Sequence, residues 1–471
     1  MGSKERFYVD IMAVHPEVTG SLFMIIPKYP DGETSRFIVD CGLFQEREYS
    51  KLNEDFPFDA SKIEFCLITH NHVDHTGRLP LLFKKGFRGN IYSTSATATM
   101  APLALYDSYK VLKDVSKRNY VNELYSQADV SNTIKLFKGC PFSETIQLNN
   151  RIQATFFKNG HLIGAALILV QISYPGYEDI NLLFTGDYNK NNMFFDVPEL
   201  PTWVRELPII VIQESTYGTM DSTEMSKTFD DNIIRCTSNE GTAISMVFSL
   251  GRAQEILYVL KCMQEDGRLS KEIPIYFDGK LAHQYTNLYL KGDLGINDQM
   301  KNFLPENLEM VDRGSRKEVL ESLATKIIVT TSGMGTYGPA QLYIPEYISR
   351  KNCLILFTGY TAEGTLGNRL KSTEKGDVVN IGSIIRKKNA DVVYTTEFSA
   401  HAKADEMIEF LKGFSDLKLV LVNHGEKETK LQFAKRVVKE VDPKMVGIMD
   451  REYFFRVNRY GLIRQMSTKF D

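Results

Sequence analysis

Short apolar runs broken by glycine, proline and polar turns set the rhythm of this chain. Runs at residues 7–13, 21–27, 36–39, 63–69, 152–157, 165–173, 181–186 and 209–213 are of strand length and β-prone, so strands are expected to dominate up to about residue 214. Residues 100–140 read as helical between them. From about 215 to 395 the pattern becomes strand followed by helix: 242–248 precedes a helix starting at Arg252, 273–277 precedes another, and 326–330 and 354–357 are further strands. That alternation predicts a parallel-type sheet. Beyond it the sequence predicts a helix over 404–411, a strand over 417–422 and a helix over 427–440. No internal repeat or low-complexity segment interrupts the pattern.

Composition narrows the class. A chain of 471 residues with 43% hydrophobic and 24% charged content is expected to bury a large core and to hold two or three domains. The six cysteines, at 41, 66, 140, 236, 262 and 353, form no Cys-x-x-Cys pair, which favours reduced thiols over a disulfide framework; Cys41 reads as a small buried filler. No stretch has the apolar length of a membrane span, and residues 1–6 carry neither a signal-peptide core nor the Ser/Thr that myristoylation requires. The expectation is a soluble, cytoplasmic protein without a membrane partner. A net charge of −3 argues against a broad basic face, so any polyanion is expected to bind locally, where metal ions add charge that the formal count omits.

The chemistry concentrates at strand ends. The segment His70-Asn-His72-Val-Asp74-His75 offers three imidazoles and a carboxylate within six residues, directly after the run 63–69. A strand ending there would deliver His70 and His72 to one face at period two, with Asp74 and His75 in the turn beyond. Two ligand pairs offset in this way suit a two-metal site, each ion held by imidazole nitrogen and carboxylate oxygen. Of the eight histidines, three more lie in short motifs: His161 after Asn159-Gly160, His401 after Ser399-Ala400, and His424 before Gly425-Glu426. His15 and His283 are left over. Asp40 closes the run 36–39 and Asp187 follows 181–186. Strand ends are where α/β proteins place chemistry.

In this order the Asp40, His70-to-His75, His161 and Asp187 motifs resemble those of the metallo-β-lactamase superfamily, over the whole chain. Glu214 in Gln213-Glu-Ser-Thr-Tyr-Gly218, His401 and His424 are similar to the motifs of its β-CASP branch, as are Val18-Thr-Gly-Ser21, Gly251-Arg-Ala-Gln-Glu255, Ser332-Gly-Met334 and Ala362-Glu-Gly-Thr-Leu366. The resemblance points to the bacterial and archaeal RNA nucleases related to the mRNA 3′-end cleavage endonuclease. It implies an α/β fold: an αββα metallo-β-lactamase sandwich from residues 1–214 and 396–471, with a parallel-sheet β-CASP domain inserted at 215–395 and the substrate held in the cleft between them. It also implies that His70, His72 and His161 hold one Zn²⁺, that Asp74, His75 and His424 hold another, and that Asp187 bridges them with a hydroxide that attacks phosphorus. Imidazole-rich ligation favours zinc over manganese. Asp40 would orient a ligand histidine, and Glu214 with His401 would supply a general acid, which makes Asp74, Asp187, Glu214 and His401 the catalytic set.

The implied activity is hydrolysis of single-stranded RNA to 5′-phosphate and 3′-hydroxyl ends, as an endonuclease or also as a 5′–3′ exonuclease, by a chain that could form a homodimer or leave the choice of RNA to a partner protein. Three other classes compete. A DNA-processing β-CASP nuclease usually carries valine where His424 stands. A small-molecule metallo-hydrolase would leave Glu214, His401 and the insert unexplained, and a silent scaffold would have lost ligands that this chain retains. Arg252 at a helix start and Ser332-Gly333 in a glycine-rich loop could contact phosphate or close a turn. The tail from Arg451 interleaves Arg456, Arg459 and Arg464 with Tyr453, Phe454, Phe455 and Tyr460, a mixture suited to base stacking but favouring a terminal strand on the core.

Overall fold

The computed structural model describes residues 7–15, 18–46, 48–224, 228–291, 294–359, 361 and 364–467. Residues 1–6 and the Ala362-Glu363 part of one matched motif lie outside them. The chain divides into two compact units, one formed by residues 1–222 with 400–471 and the other by 223–399.

The first unit contains two sheets. One runs, in spatial order, through Gly461–Ser467, Tyr453–Asn458, Tyr8–Ala13, Phe23–Lys28, Phe37–Val39, Phe65–Leu67, Asn90–Thr94 and Phe137–Cys140. The other runs through Val446–Ile448, Leu417–Asn423, Ile209–Glu214, Ile180–Phe184, Ala166–Ile172, Ile152–Lys158 and Thr145–Asn149. Alternation along the strands dictates the layering. Val9, Ile11 and Ala13 of the first sheet share one buried cluster with Ile152, Ala154 and Phe156 of the second, so the two sheets pack face to face. The opposite face of the first sheet packs on Ser95–Asn119 and Gln127–Ile134 through Leu105, Tyr109 and Val130. The outer face of the second sheet packs on Ala404–Lys412 and Lys427–Glu440 through Met407, Leu411 and Phe433. Helix, sheet, sheet, helix is the expected αββα order.

The second unit carries one parallel sheet, in the order Leu308–Val311, Ile275–Asp278, Lys326–Thr330, Thr242–Met246, Cys353–Phe357 and Asp391–Tyr394. Its three central strands are buried at every position, which is why they read as continuous apolar runs without alternation. A separate hairpin, Val378–Ile381 with Ile384–Lys387, gave no expectation from the sequence.

Two expectations change, and the favoured reading of the tail as a terminal strand holds. The run 63–69 is a strand only over Phe65–Leu67, because the Thr69 N–H turns to Asp40 Oδ1 (2.8 Å) instead of a ladder carbonyl. Residues 100–140 are not one helical stretch: the helix Ser95–Asn119 ends at Tyr120 in left-handed backbone (φ 55°), and Phe137–Cys140 is a strand. The tail folds as an antiparallel pair on Tyr8–Ala13, with Phe455 and Val457 in the core and Arg456 held bidentately by Asp10 (2.7 and 2.9 Å). Arg456 is thereby a structural cation. Among the described residues, no helix is long and apolar enough to cross a membrane.

Candidate metal centre

The site is assembled inside the first unit from six connecting segments. The His70-to-His75 segment does not continue the strand. His72 stands at the start of a short helix, Val73–Thr76, whose first turn carries Asp74 and His75, so two residues expected in a turn are helical. The loop after Asp40 is laced to that helix: Cys41 N–H donates to His75 O (2.8 Å), Leu43 N–H to Val73 O (3.0 Å), and Ser21 N–H to Asp74 O (2.9 Å). Gly42 makes this possible, since a Cβ there would sit 1.4 Å from the Asp74 carbonyl oxygen.

At the centre lies Asp187, 2% exposed, just past the strand Ile180–Phe184. Its two oxygens face different histidines. Oδ2 lies 3.6 Å from His70 Nε2 and 3.6 Å from His161 Nε2; Oδ1 lies 3.2 Å from His75 Nε2 and 3.3 Å from His424 Nε2. His72 Nδ1 completes the first group, 3.2 Å from His70 Nε2 and 3.1 Å from His161 Nε2. Two sets of possible ligand atoms result, His70/His72/His161/Asp187 and Asp74/His75/Asp187/His424, each with all its atoms within 4.8 Å of one another.

An outer layer fixes the rings. The Thr69 hydroxyl donates to Asp40 Oδ2 (2.8 Å), so it is an acceptor for His70 Nδ1–H (3.1 Å). His75 Nδ1–H donates to Asp40 Oδ2 (2.7 Å), and His161 Nδ1–H to the Ala400 carbonyl (2.9 Å). His424 Nδ1 lies 3.1 Å from Thr216 Oγ1, whose own hydroxyl reaches the His424 carbonyl (3.3 Å). Each of these four rings thus keeps its proton on Nδ1 and turns the Nε2 lone pair inward, the orientation of a ligand histidine.

Burial agrees with that reading for His70, His161 and His424, while His75 lies between two carboxylates that favour its charged form where no ion is bound. His75 Nε2, Asp187 Oδ1 and His424 Nε2 are buried without a hydrogen bond, despite lying within ion-pair distance of one another. Converging lone pairs in a dry site are costly unless a cation lies among them. Burial lowers His70 and His161 well below the usual histidine range, with neighbouring imidazoles adding to the effect, and pushes His424 down to about 3. Burial would lower His75 too, but the Asp187 and Asp40 carboxylates hold it well above. The Asp74 carboxyl is pushed up to about 6 by burial, a shift that an adjacent divalent cation reverses. The donor set therefore fits hard-to-borderline divalent ions, with imidazole-rich ligation favouring zinc.

His401 stands apart from both sets. Its Nδ1 lies 3.0 and 2.9 Å from the Glu214 oxygens, and its Nε2 is 3.8 Å from Asp187 Oδ2. Glu214 is itself held by the Tyr188 and Thr216 N–H groups. Burial alone would lower His401; Glu214 and then Asp187 more than offset it, so the imidazole titrates above its ordinary value. Its side chain keeps 19% exposure, against 1% for Glu214, so the imidazole is the reachable member of the pair.

The remaining sequence candidates lie in the second unit and are engaged there. Arg252 Nε donates to Glu255 Oε2 (2.8 Å), and its Nη1 donates to the Thr358 carbonyl. Ser332 exchanges hydrogen bonds with Tyr337, which closes the loop on itself, and Gly333 packs against Phe248. The sequence reading missed Thr69 and Thr216, although each stands beside a candidate in the chain. No sequence signal marks the Ala400 carbonyl. Cys41 is fully buried and its thiol is pushed up to about 12, as a filler would be.

Three family models match the chain: a metallo-beta-lactamase superfamily domain over residues 31–193, a Beta-Casp domain over 253–370, and a Zn-dependent metallo-hydrolase RNA specificity domain over 386–446. An RNase J-like protein of Methanocaldococcus jannaschii is 31% identical over 419 residues, covering 86% of this chain and 91% of its own length. A ribonuclease of Thermus thermophilus is 29% identical over 432 residues, covering 89% and 93%. A cleavage and polyadenylation specificity factor subunit of Arabidopsis thaliana is 28% identical over 444 residues, covering 92% of this chain and 61% of its own length.

Proposed function

Because the chain belongs to the β-CASP branch of the metallo-β-lactamase superfamily, we propose that it is a metal-dependent ribonuclease that hydrolyses single-stranded RNA, with two zinc ions per chain. The observation that carries the reading is Asp187: one carboxylate oxygen faces the His70/His161 group, the other the His75/His424 group. Bound there, divalent ions lower the pKa of water and stabilise charge on phosphoryl oxygens.

The protein's own residues supply the rest. His70, His72 and His161 would hold one ion and Asp74, His75 and His424 the other, with Asp187 belonging to both sets. Asp40 orients His75 by taking its Nδ1 proton in a hydrogen bond. Hydrolysis breaks the bond from phosphorus to the 3′ oxygen, so the water oxygen remains on the 5′ phosphate and the leaving 3′ oxygen needs a proton. His401, whose charged form Glu214 favours, would donate it from Nε2. The 2′-hydroxyl takes no part, so the products are 5′-phosphate and 3′-hydroxyl ends. The hydrogen bonds around Arg252, Ser332 and Gly333 support a turn-closing role for them rather than phosphate contact.

Incubating the purified protein with end-labelled and internally labelled single-stranded RNA, with and without chelator, tests the whole reading. The expected result is chelator-sensitive cleavage with 5′-phosphate ends and slower action on DNA of the same sequence. Cyclic phosphate ends, or DNA cut as fast as RNA, would overturn it.

A further inference from the structure

His15, one of the two histidines outside every motif, lies in the first unit behind the second ligand set. The ring is buried at 2% exposure, edge-on to Phe23 with centroids 5.0 Å apart. Its two nitrogens have separate partners. Nδ1 lies 3.1 Å from the Leu22 N–H and 3.2 Å from the Leu22 carbonyl, which Val14 N–H also reaches (2.8 Å). Nε2 lies 2.6 Å from Asn423 Oδ1, an amide oxygen that can only accept, so the ring proton sits on Nε2 and Nδ1 accepts from the Leu22 N–H. Burial pushes this imidazole down to about 4, which favours the neutral ring at neutral pH.

Asn423 is the residue before His424, and the backbone there is unusual. His424 adopts φ 49°, left-handed conformation that a residue with a Cβ rarely takes. Such a conformation persists only where the surroundings over-determine it. Three bonds do so from one side: the Ser215 hydroxyl to Asn423 O (2.8 Å), Ser215 N–H to His424 O (3.1 Å), and the Thr216 contact to the His424 ring. The His15 bond is the one that anchors the Asn423 side chain from the other side, through the loop that follows Tyr8–Ala13.

We propose that His15 and Asn423 are positioning residues for His424: the neutral His15 Nε2–H holds Asn423, and Asn423 holds the left-handed turn that aims the His424 ring at Asp187. The consequence for metal binding rests on the two-ion reading above; the hydrogen bond does not.

Two measurements separate those parts. In metal-free protein at neutral pH, ¹⁵N NMR of the ring should show His15 as the Nε2–H tautomer, with that proton's signal shifted or lost in Asn423→Leu. A His15 imidazolium or an Nδ1–H tautomer would overturn the pairing whatever the metals do. In zinc-loaded protein, chelator competition should resolve two affinities, with His161→Ala marking the first set. His15→Phe keeps the ring and the Phe23 contact but removes the donor. It should weaken the second set alone by about tenfold, with circular dichroism unchanged, and His15→Gln, which restores an N–H, should recover most of it. If His15→Phe does not fold, Asn423→Leu breaks the same bond from the acceptor side. Wild-type affinity at the second set in whichever variant folds would overturn the positioning role. Wild-type protein that binds fewer than two ions would instead overturn the two-ion reading, leaving the NMR result to decide the pairing.

Discussion

Two buried aspartates end strands in the two units, and their neighbours differ in kind. Asp278, 1% exposed, closes Ile275–Asp278 in the second unit and meets the guanidinium of Arg316 bidentately (2.6 and 2.8 Å) and the Tyr343 hydroxyl (2.9 Å). Asp187, 2% exposed, follows Ile180–Phe184 in the first unit and meets imidazoles only among its ion-pair partners: His70, His75, His161, His401 and His424, at 3.2–3.8 Å. A permanent cation closes the first site. Imidazoles, four of which could carry a metal ion between them, leave the second open. A buried carboxylate is thus informative through what neutralises it, more than through its depth.

Removing the carboxylates should separate these roles most sharply. Asp187→Ala should leave less than one zinc per chain by elemental analysis and lower RNA cleavage by about 10³ or more, the several kcal/mol attributed to metal-ion catalysis. Asp278→Asn should leave zinc content and cleavage intact while destabilising the second unit by about 3 kcal/mol in denaturant melts, the low end for breaking a buried pair because Arg316 keeps some solvent contact. Zinc loss in the second variant, or its retention in the first, would break the comparison.

The groups around Asp187 sharpen it with smaller effects. His401→Ala should lower kcat by about 10² with both ions retained. Asp40→Asn, which withdraws the charge from His75 Nδ1, should weaken the second ion by about 10-fold to 100-fold and spare the first. Glu214→Gln should act on the pH profile. The His401 imidazole titrates above its ordinary value because of Glu214 and Asp187, so activity that needs the imidazolium is present below that value and lost as pH rises through it. Without the Glu214 charge the alkaline limb of kcat/KM should move to lower pH. An unmoved limb in a metal-replete variant would remove His401 as the acid.

Much of this site is legible in the sequence because its residues are chemically scarce. With eight histidines in the chain, six of them in short motifs at strand ends, the cluster stands out from residue order alone. The strands of the second unit are equally plain, since burial on both faces turns them into unbroken apolar runs. Geometry inside the motif is not. Whether Asp74 and His75 sit in a turn or a helix depends on the loop 41–43 docking against them, a contact between segments that neither segment encodes alone. The aromatic and basic tail reads as a terminal strand in preference to a stacking surface, but that Asp10 holds Arg456 is a contact the residues alone do not show. His15 carries no signal because its partner lies 408 positions away in the chain.

That separation has a bearing on how the molecule is made. Tyr8–Ala13 finds one of its two strand neighbours only in Tyr453–Asn458, and the second ligand set waits for His424. A chain emerging from the ribosome has therefore synthesised His70, His72 and His161, and all of the second unit, before the centre can close. Pairing across such a distance is slow to form, while the second unit, continuous in sequence, is free to fold first. On the two-ion reading, the chain would acquire its second ligand set, and with it the proposed chemistry, only once His424 has been made.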